Sequence, residues 1–292
     1  MEKRLILRGV LVGALAGLLA FVFARIFAEP IIARAVDYES ARDAVLTTLD
    51  KAAGRPVASA GPDVFSRSLQ AGVGIGVGMI VYGAALGAGF AVAFAASLGR
   101  VGRLRVRTLA LLLALGGFLT IFLIPFLKYP ANPPSIGNAD TIKQRGALYL
   151  LLVVLTLVFA GAAVWVGRNL TARFGNWNAT LIAAGSFVGV LSVVMLVLPQ
   201  LGHLSSNVDQ YGRFATETPQ PIRDPKGQIL LSGFPADDLF SFRLYAVGAQ
   251  LLLWTTVGLV FGPLAERVLN PSAGAARVAK RKTGNASVAT VS

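Results

Sequence analysis

Six stretches of this chain, at residues 5–27, 69–98, 108–127, 146–167, 177–201 and 244–264, are long, apolar and free of charge at their centres. About 20 such residues cross the ~30 Å hydrocarbon layer of a bilayer as a helix. The sequence therefore predicts an all-α integral membrane bundle of six transmembrane helices. The second stretch is rich in glycine, yet it carries no charged residue from Leu69 to Leu98. Composition agrees: 55% of residues are apolar and 14% charged, where a soluble domain carries about 25% charged residues. The first stretch follows Lys3, Arg4 and Arg8, as the core of a signal peptide would. It is too long for that role, and Phe27-Ala28-Glu29-Pro30 is a poor cleavage site, so it is expected to remain as a helix. The expected organisation is a transmembrane domain over 1–265 and a basic, disordered tail over 266–292.

The net charge of +13 could point to nucleic acid, but its distribution points to the membrane. Of the 27 Lys and Arg residues, 14 fall at the N-terminus, in the stretch Arg100, Arg103, Arg105 and Arg107, at Arg168 and Arg173, and in the tail. Only Glu2 and Glu266 accompany them. The other connections, 29–68, 128–145 and 202–240, hold 11 basic and 12 acidic residues. Loops rich in Lys and Arg stay on the cytoplasmic side, so both termini are expected in the cytoplasm of a multi-pass inner (plasma) membrane protein. No nucleic-acid partner is expected.

The outer connections differ in character. The first is expected to hold an amphipathic helix with Tyr38, Ala41, Val45 and Leu49 on one face. The third is polar and proline-bearing, so little regular structure is expected there. Glycines recur every four residues in the first helix (Gly9, Gly13, Gly17), in the second (Gly72/Gly76, Gly74/Gly78, Gly83/Gly87) and in the fifth (Gly185/Gly189). Small residues at this spacing let helix backbones approach closely in lipid, so they are read as packing positions within the bundle, or at a subunit interface. The alternating glycines 72–78 lack the nucleotide-binding spacing and follow no strand.

Catalytic constellations are nearly absent. The chain has one histidine, His203, no cysteine, no HExxH and no Walker sequence, so no enzymatic activity is expected. An ionisable residue at the membrane centre is costly and usually functional, and none of the six spans has one there. Charges gather instead at helix ends: Arg25 with Glu29 four residues on, Arg67, Lys128, Arg145 and Arg243, with Asp63, Asp140, Asp237 and Asp238 in the same connections. They can be read as interfacial anchors or as the paired charges of an outer vestibule. The densest unusual stretch, Pro125-Phe126-Leu127-Lys128-Tyr129-Pro130-Ala131-Asn132-Pro133-Pro134, holds four prolines that fix φ and remove backbone donors. It must end its helix and turn stiffly, holding Lys128, Tyr129 and Asn132 in place. Read as exposed loop groups, Asn132 and Arg145 should be removable with little cost to folding.

At this segment the chain resembles the family of predicted cobalt transporter subunits called CbtA. The resemblance is carried by 125–134 followed by Thr141, Arg145 and Tyr149. Arg8-Gly9, Phe23-Ala24-Arg25 with Glu29-Pro30, and Val81-Tyr82-Gly83 add to it. So do Trp177-Asn178-Ala179-Thr180, Gly233-Phe234-Pro235-Ala236, and Phe242-Arg243 with Gln250 and Trp254. It covers nearly all the membrane part, with 204–231 resembling an insertion in the last outer loop. It implies cobalt uptake for cobalamin synthesis beside a small single-helix partner, CbtB, with a histidine-rich end. The expected vestibule residues are Arg25, Lys128, Tyr129, Pro130, Asn132, Pro133, Arg145, Tyr149 and Arg243. Cobalt(II) prefers imidazole and other N/O donors, and one histidine cannot make a tight site. Glu29, Asp63 and Asp140, with His203, are the expected metal candidates, and no permanently bound cofactor is expected, only transported Co²⁺. Two alternatives stay open. One is a permease for an anion or a chelated metal, with Lys128, Arg145 and Arg243 as anion partners; the other is a non-transporting scaffold for a partner subunit.

Overall fold

A computed structural model describes residues 2–56, 70–102, 104–212 and 217–270. These residues are almost wholly helical. The helices are α1 (Glu2–Phe27), α2 (Glu29–Ala52), α3 (Ile75–Ser97), α4 (Val106–Gly117), α5 (Ile124–Lys128), α6 (Ile142–Val197), α7 (Ser205–Tyr211) and α8 (Ala236–Leu269). π-helical turns precede α3 at Gln70–Gly74 and join α4 to α5 at Phe118–Leu123. Strands β1 (Ile222–Arg223) and β2 (Ile229–Leu231) pair antiparallel. Five helical segments are long and apolar enough to cross a membrane, and the chain is an all-α membrane bundle. It divides into two compact units, one from the described parts of Met1–Phe23, Arg67–Gly117 and Ala249–Ser292, the other from those of Ala24–Ser66 and Phe118–Gly248.

In the first unit, α1 is inverted relative to a helix of a soluble protein. Leu7 and Leu11 are about 60% exposed while Gly9, Gly13 and Gly17 are buried. Lipid is as apolar as leucine, so helices gain by close packing rather than by hiding leucine. α1 meets α3 antiparallel through bare backbone. A Cβ on Gly9 would lie 2.3 Å from Gly87 O, one on Gly13 2.0 Å from Gly83 O, and one on Gly17 2.3 Å from Met79 O. The glycine spacing thus acts in packing, but selectively: Gly72, Gly78, Gly185 and Gly189 have nothing within 4 Å of an added Cβ. α4 and α8 also pack antiparallel, with Gly117 under the Trp254 ring, Gly258 against Ala114 and Gly262 against Arg107. Phe90 and Phe94 stand edge-on to Phe261, each with centroids 5.2 Å apart.

In the second unit, α6 holds the fourth and fifth apolar stretches. Gly175 breaks it at φ 74°, ψ 167°, a conformation that glycine alone adopts easily. Leu152 and Leu191 share one buried cluster with Tyr129. In a straight helix they would be about 58 Å apart, so the arms 142–174 and 176–197 fold back on each other. The 168–176 connection, expected as a loop, is helical up to Gly175 because Arg168-Asn169-Leu170-Thr171-Ala172-Arg173-Phe174 contains no breaker. Pro125 creates a second local problem. With no N–H, it leaves Ile121 O without its α-helical donor, or Thr120 O without its π-helical one. The hydroxyls of Tyr149 and Thr156 donate to these two carbonyls, at 3.3 and 2.6 Å.

Three expectations need correction. The amphipathic helix is α2, but its inner face is Ile31, Ala35, Tyr38, Val45 and Leu49, and Ala41 is exposed. The buried end was missed because α2 starts at Glu29, only one residue after α1, and places Ile31 and Ala35 against Ile136 and Phe234. The 202–240 connection is more ordered than expected, with α7, the β1–β2 hairpin turning at Asp224 to Gly227, and the first turns of α8. At the other end, α8 runs to Leu269, so the basic tail begins later than 266. The remainder of that tail, 271–292, lies outside the described residues.

Candidate functional site

The proline-rich turn leaves α5 at Lys128 and is fastened on both sides. Tyr129 is buried among Leu152 and Leu191, and its hydroxyl donates to Pro199 O at 2.9 Å. Burial pushes that hydroxyl above the ordinary tyrosine pKa, so it stays protonated as a donor. Pro133 is fully buried. Arg243, in the second turn of α8, donates from Nε to Ala131 O at 3.2 Å and from Nη2 to Asn132 Oδ1 at 2.9 Å. A guanidinium so placed replaces the backbone donors that the prolines lack.

The turn borders a cavity of about 310 Å³, lined by Leu127, Lys128, Pro130, Asn132, Gln200, Leu201, Glu217 and Arg243. Glu217 is 1% exposed, and a carboxylate buried that deeply must be paired and hydrogen-bonded. Arg145 Nη1 lies 2.9 Å from its Oε2. Its Oε1 accepts from the Thr141 hydroxyl and, at 3.1 Å, from Asn207 Nδ2. Asn207 also donates to Leu201 O, and Asn138 to Ser206 O at 3.1 Å. This polar network ties the 128–145 connection to the 202–240 connection. Gly137, at φ 137°, makes room for it, since a Cβ there would lie 3.0 Å from Arg145 Nη1.

Of the expected vestibule residues, Lys128, Pro130, Asn132 and Arg243 meet at the cavity, and Arg145 stands behind it through Glu217. Tyr129 and Pro133, both buried, and the half-buried Tyr149 support the turn and are not part of the cavity's lining. Arg25 is exposed on α1 and pairs with Glu29 at 3.7 Å. The metal candidates are not gathered. Asp140 and His203 are exposed, Glu29 is engaged by Arg25, and no three His, Cys, Asp or Glu residues form a metal-binding group among the described residues. Asp63 and Arg67 lie outside the described residues. Asp238, grouped with the vestibule cations, pairs with Arg34 at 2.6 Å. Glu217 escaped the sequence reading. It sits in the segment that resembled an insertion, 76 residues from Thr141, and no local pattern distinguishes it from a solvated loop glutamate.

A bundle of long apolar helices with leucines on its outer faces defines a polytopic membrane protein, here with a charged cavity beside a proline-fixed turn. The family model described as "Probable cobalt transporter subunit (CbtA)" matches residues 2–266, and the chain belongs to this family. No curated protein and no solved structure matches the chain.

Proposed function

We propose that this chain is the membrane subunit through which cobalt is taken up for cobalamin synthesis, with the cavity at the 128–134 turn as the vestibule its cargo meets. The observation that carries this reading is the convergence of Lys128, Pro130, Asn132 and Arg243, all singled out from the sequence, on one cavity in a chain of a cobalt transporter family. The chain guides a cargo and does no chemistry on it. It sits in the inner membrane with both termini in the cytoplasm, supported by the Lys and Arg bias of the connections. A single-helix, histidine-rich CbtB-like subunit supplies the imidazole that one exposed histidine cannot.

Labelled cobalt uptake by cells expressing the chain alone, and the chain with such a partner, tests the reading. Uptake should need the chain and rise with the partner; none in either case refutes it. The purified chain alone should bind bare Co²⁺ no tighter than about micromolar, or roughly −8 kcal/mol, and nanomolar binding would contradict this. Cysteines placed at Ser135 and Ser205 should react with an impermeant thiol reagent from outside intact cells, and one at Ser287 should not. Reaction at 287 reverses the orientation.

A further inference from the structure

We infer that the cavity recognises a carboxylate-bearing metal complex, a divalent ion wrapped in a small polycarboxylate, and not a bare hydrated cation. This rests on the cobalt reading above and names the form of its cargo.

Charge is the first argument. The cavity is lined by two cations, Lys128 and Arg243, and one acid, Glu217. Among the described residues neither cation has a carboxylate partner: Arg243 is held by neutral acceptors, and Lys128 sits over the ring of Tyr129 at 5.9 Å. A bare divalent cation entering here would meet a net positive lining, whereas an anionic complex would neutralise it.

The state of Glu217 is the second. A carboxylate offered to a metal must be free of other charges, but this one accepts at Oε1 from Thr141 and Asn207, and its Oε2, with no hydrogen bond of its own, is held in an ion pair 2.9 Å from Arg145 Nη1. Metal ligation would have to dismantle the network that joins the two connections. The same pair also shows what this wall accepts, because Arg145 already holds a buried carboxylate. Lys128 and Arg243 line the cavity with no carboxylate on them among the described residues, Arg243 having committed only its Nε and Nη2, to the turn. Charge-assisted bonds from Lys or Arg to carboxylates are the strong ones.

Size agrees. A cavity of about 310 Å³ is at the lower end of small-molecule sites and equals roughly ten water volumes at ~30 Å³ each. It is roomy for an ion and suited to a small chelate.

The test uses the full chain in lipid nanodiscs, with three probes: Co²⁺ in excess citrate, citrate alone, and Co²⁺ in a non-coordinating buffer. The citrate complex should bind best, and added salt should weaken it. Lys128→Gln should weaken it about tenfold or more, and Lys128→Arg should restore it, which separates lost charge from misfolding. Tighter binding of bare Co²⁺, or no change in Lys128→Gln, overturns the inference. Citrate alone binding as well as its cobalt complex also overturns it, since the metal is then incidental. Labelled uptake separates the two readings. Cells that import bare cobalt with Lys128→Gln fully active sink this inference and leave the cobalt function standing. Cells that import cobalt in neither form take both down.

Discussion

In the first unit, α1 and α3 touch through bare backbone, with glycine against glycine and leucines turned outward. In the second, a short stiff turn is fastened by hydroxyls, a buried glutamate and two arginines. Both bring segments together, the first between helices where lipid gives no hydrophobic drive, the second between connections outside the apolar spans. The first uses van der Waals contact between surfaces with no side chains, which leaves no room and no chemistry. The second uses charge and hydrogen bonds, which need space around them, and the cavity is part of that space. Close packing makes a scaffold, and a polar network makes a site.

The largest effect should come from filling the glycine seam. Gly13→Leu places a Cβ 2.0 Å from Gly83 O, and overpacking against backbone should cost about 3 kcal/mol or more. The comparison variant Gly78→Leu meets nothing within 4 Å of its Cβ and should fold normally. Detergent-solubilised size-exclusion profiles should show loss of monodisperse protein in the first variant only. Equal behaviour would mean that the seam is not tight.

Next comes Arg145. Read as an exposed loop group, Arg145 should be removable at little cost to folding though not to uptake; the buried Glu217 reverses the folding expectation. Arg145→Ala should cost about 3–5 kcal/mol, because it strands a buried carboxylate. Adding Glu217→Leu should recover most of the loss, and thermal unfolding of the two single variants and the pair forms the cycle. If the pair is as unstable as Arg145→Ala, the two residues are not coupled.

Asn132→Ala removes one acceptor of Arg243, which should cost about 1 kcal/mol and leave membrane abundance nearly unchanged. Cobalt uptake should fall severely, since Arg243 then loses its aim at the cavity. Normal uptake would reduce the turn to a connector.

The smallest effect is expected at Arg34 and Asp238. They form a two-contact pair at 2.6 and 3.0 Å, but Arg34 is half exposed. Arg34→Ala should cost at most about 1 kcal/mol, and less in high salt. A larger loss would show that α2 is held by this pair and not by its buried face of Ile31, Ala35 and Tyr38.

What the sequence determined by itself is what local physics dictates. Apolar runs of membrane length specify helices whatever their neighbours are, and four prolines in ten residues stiffen a turn wherever it lies. Glycine spacing marked the seam, but could not say that Gly13 and Gly83 meet while Gly185 and Gly189 face open space, because spacing reports a helix face and not its partner. Pro125 announced missing backbone donors, but not that Tyr149 and Thr156 would fill the place. Only the tertiary structure decided that Tyr129 and Tyr149 support the turn, that Lys128, Asn132 and Arg243 share a cavity, and that Glu217 is buried opposite Arg145. The physical reason is distance along the chain. A hydrophobic run or a fixed φ acts between neighbours, whereas an ion pair or a hydrogen bond between residues some seventy positions apart exists only after the fold has brought them together.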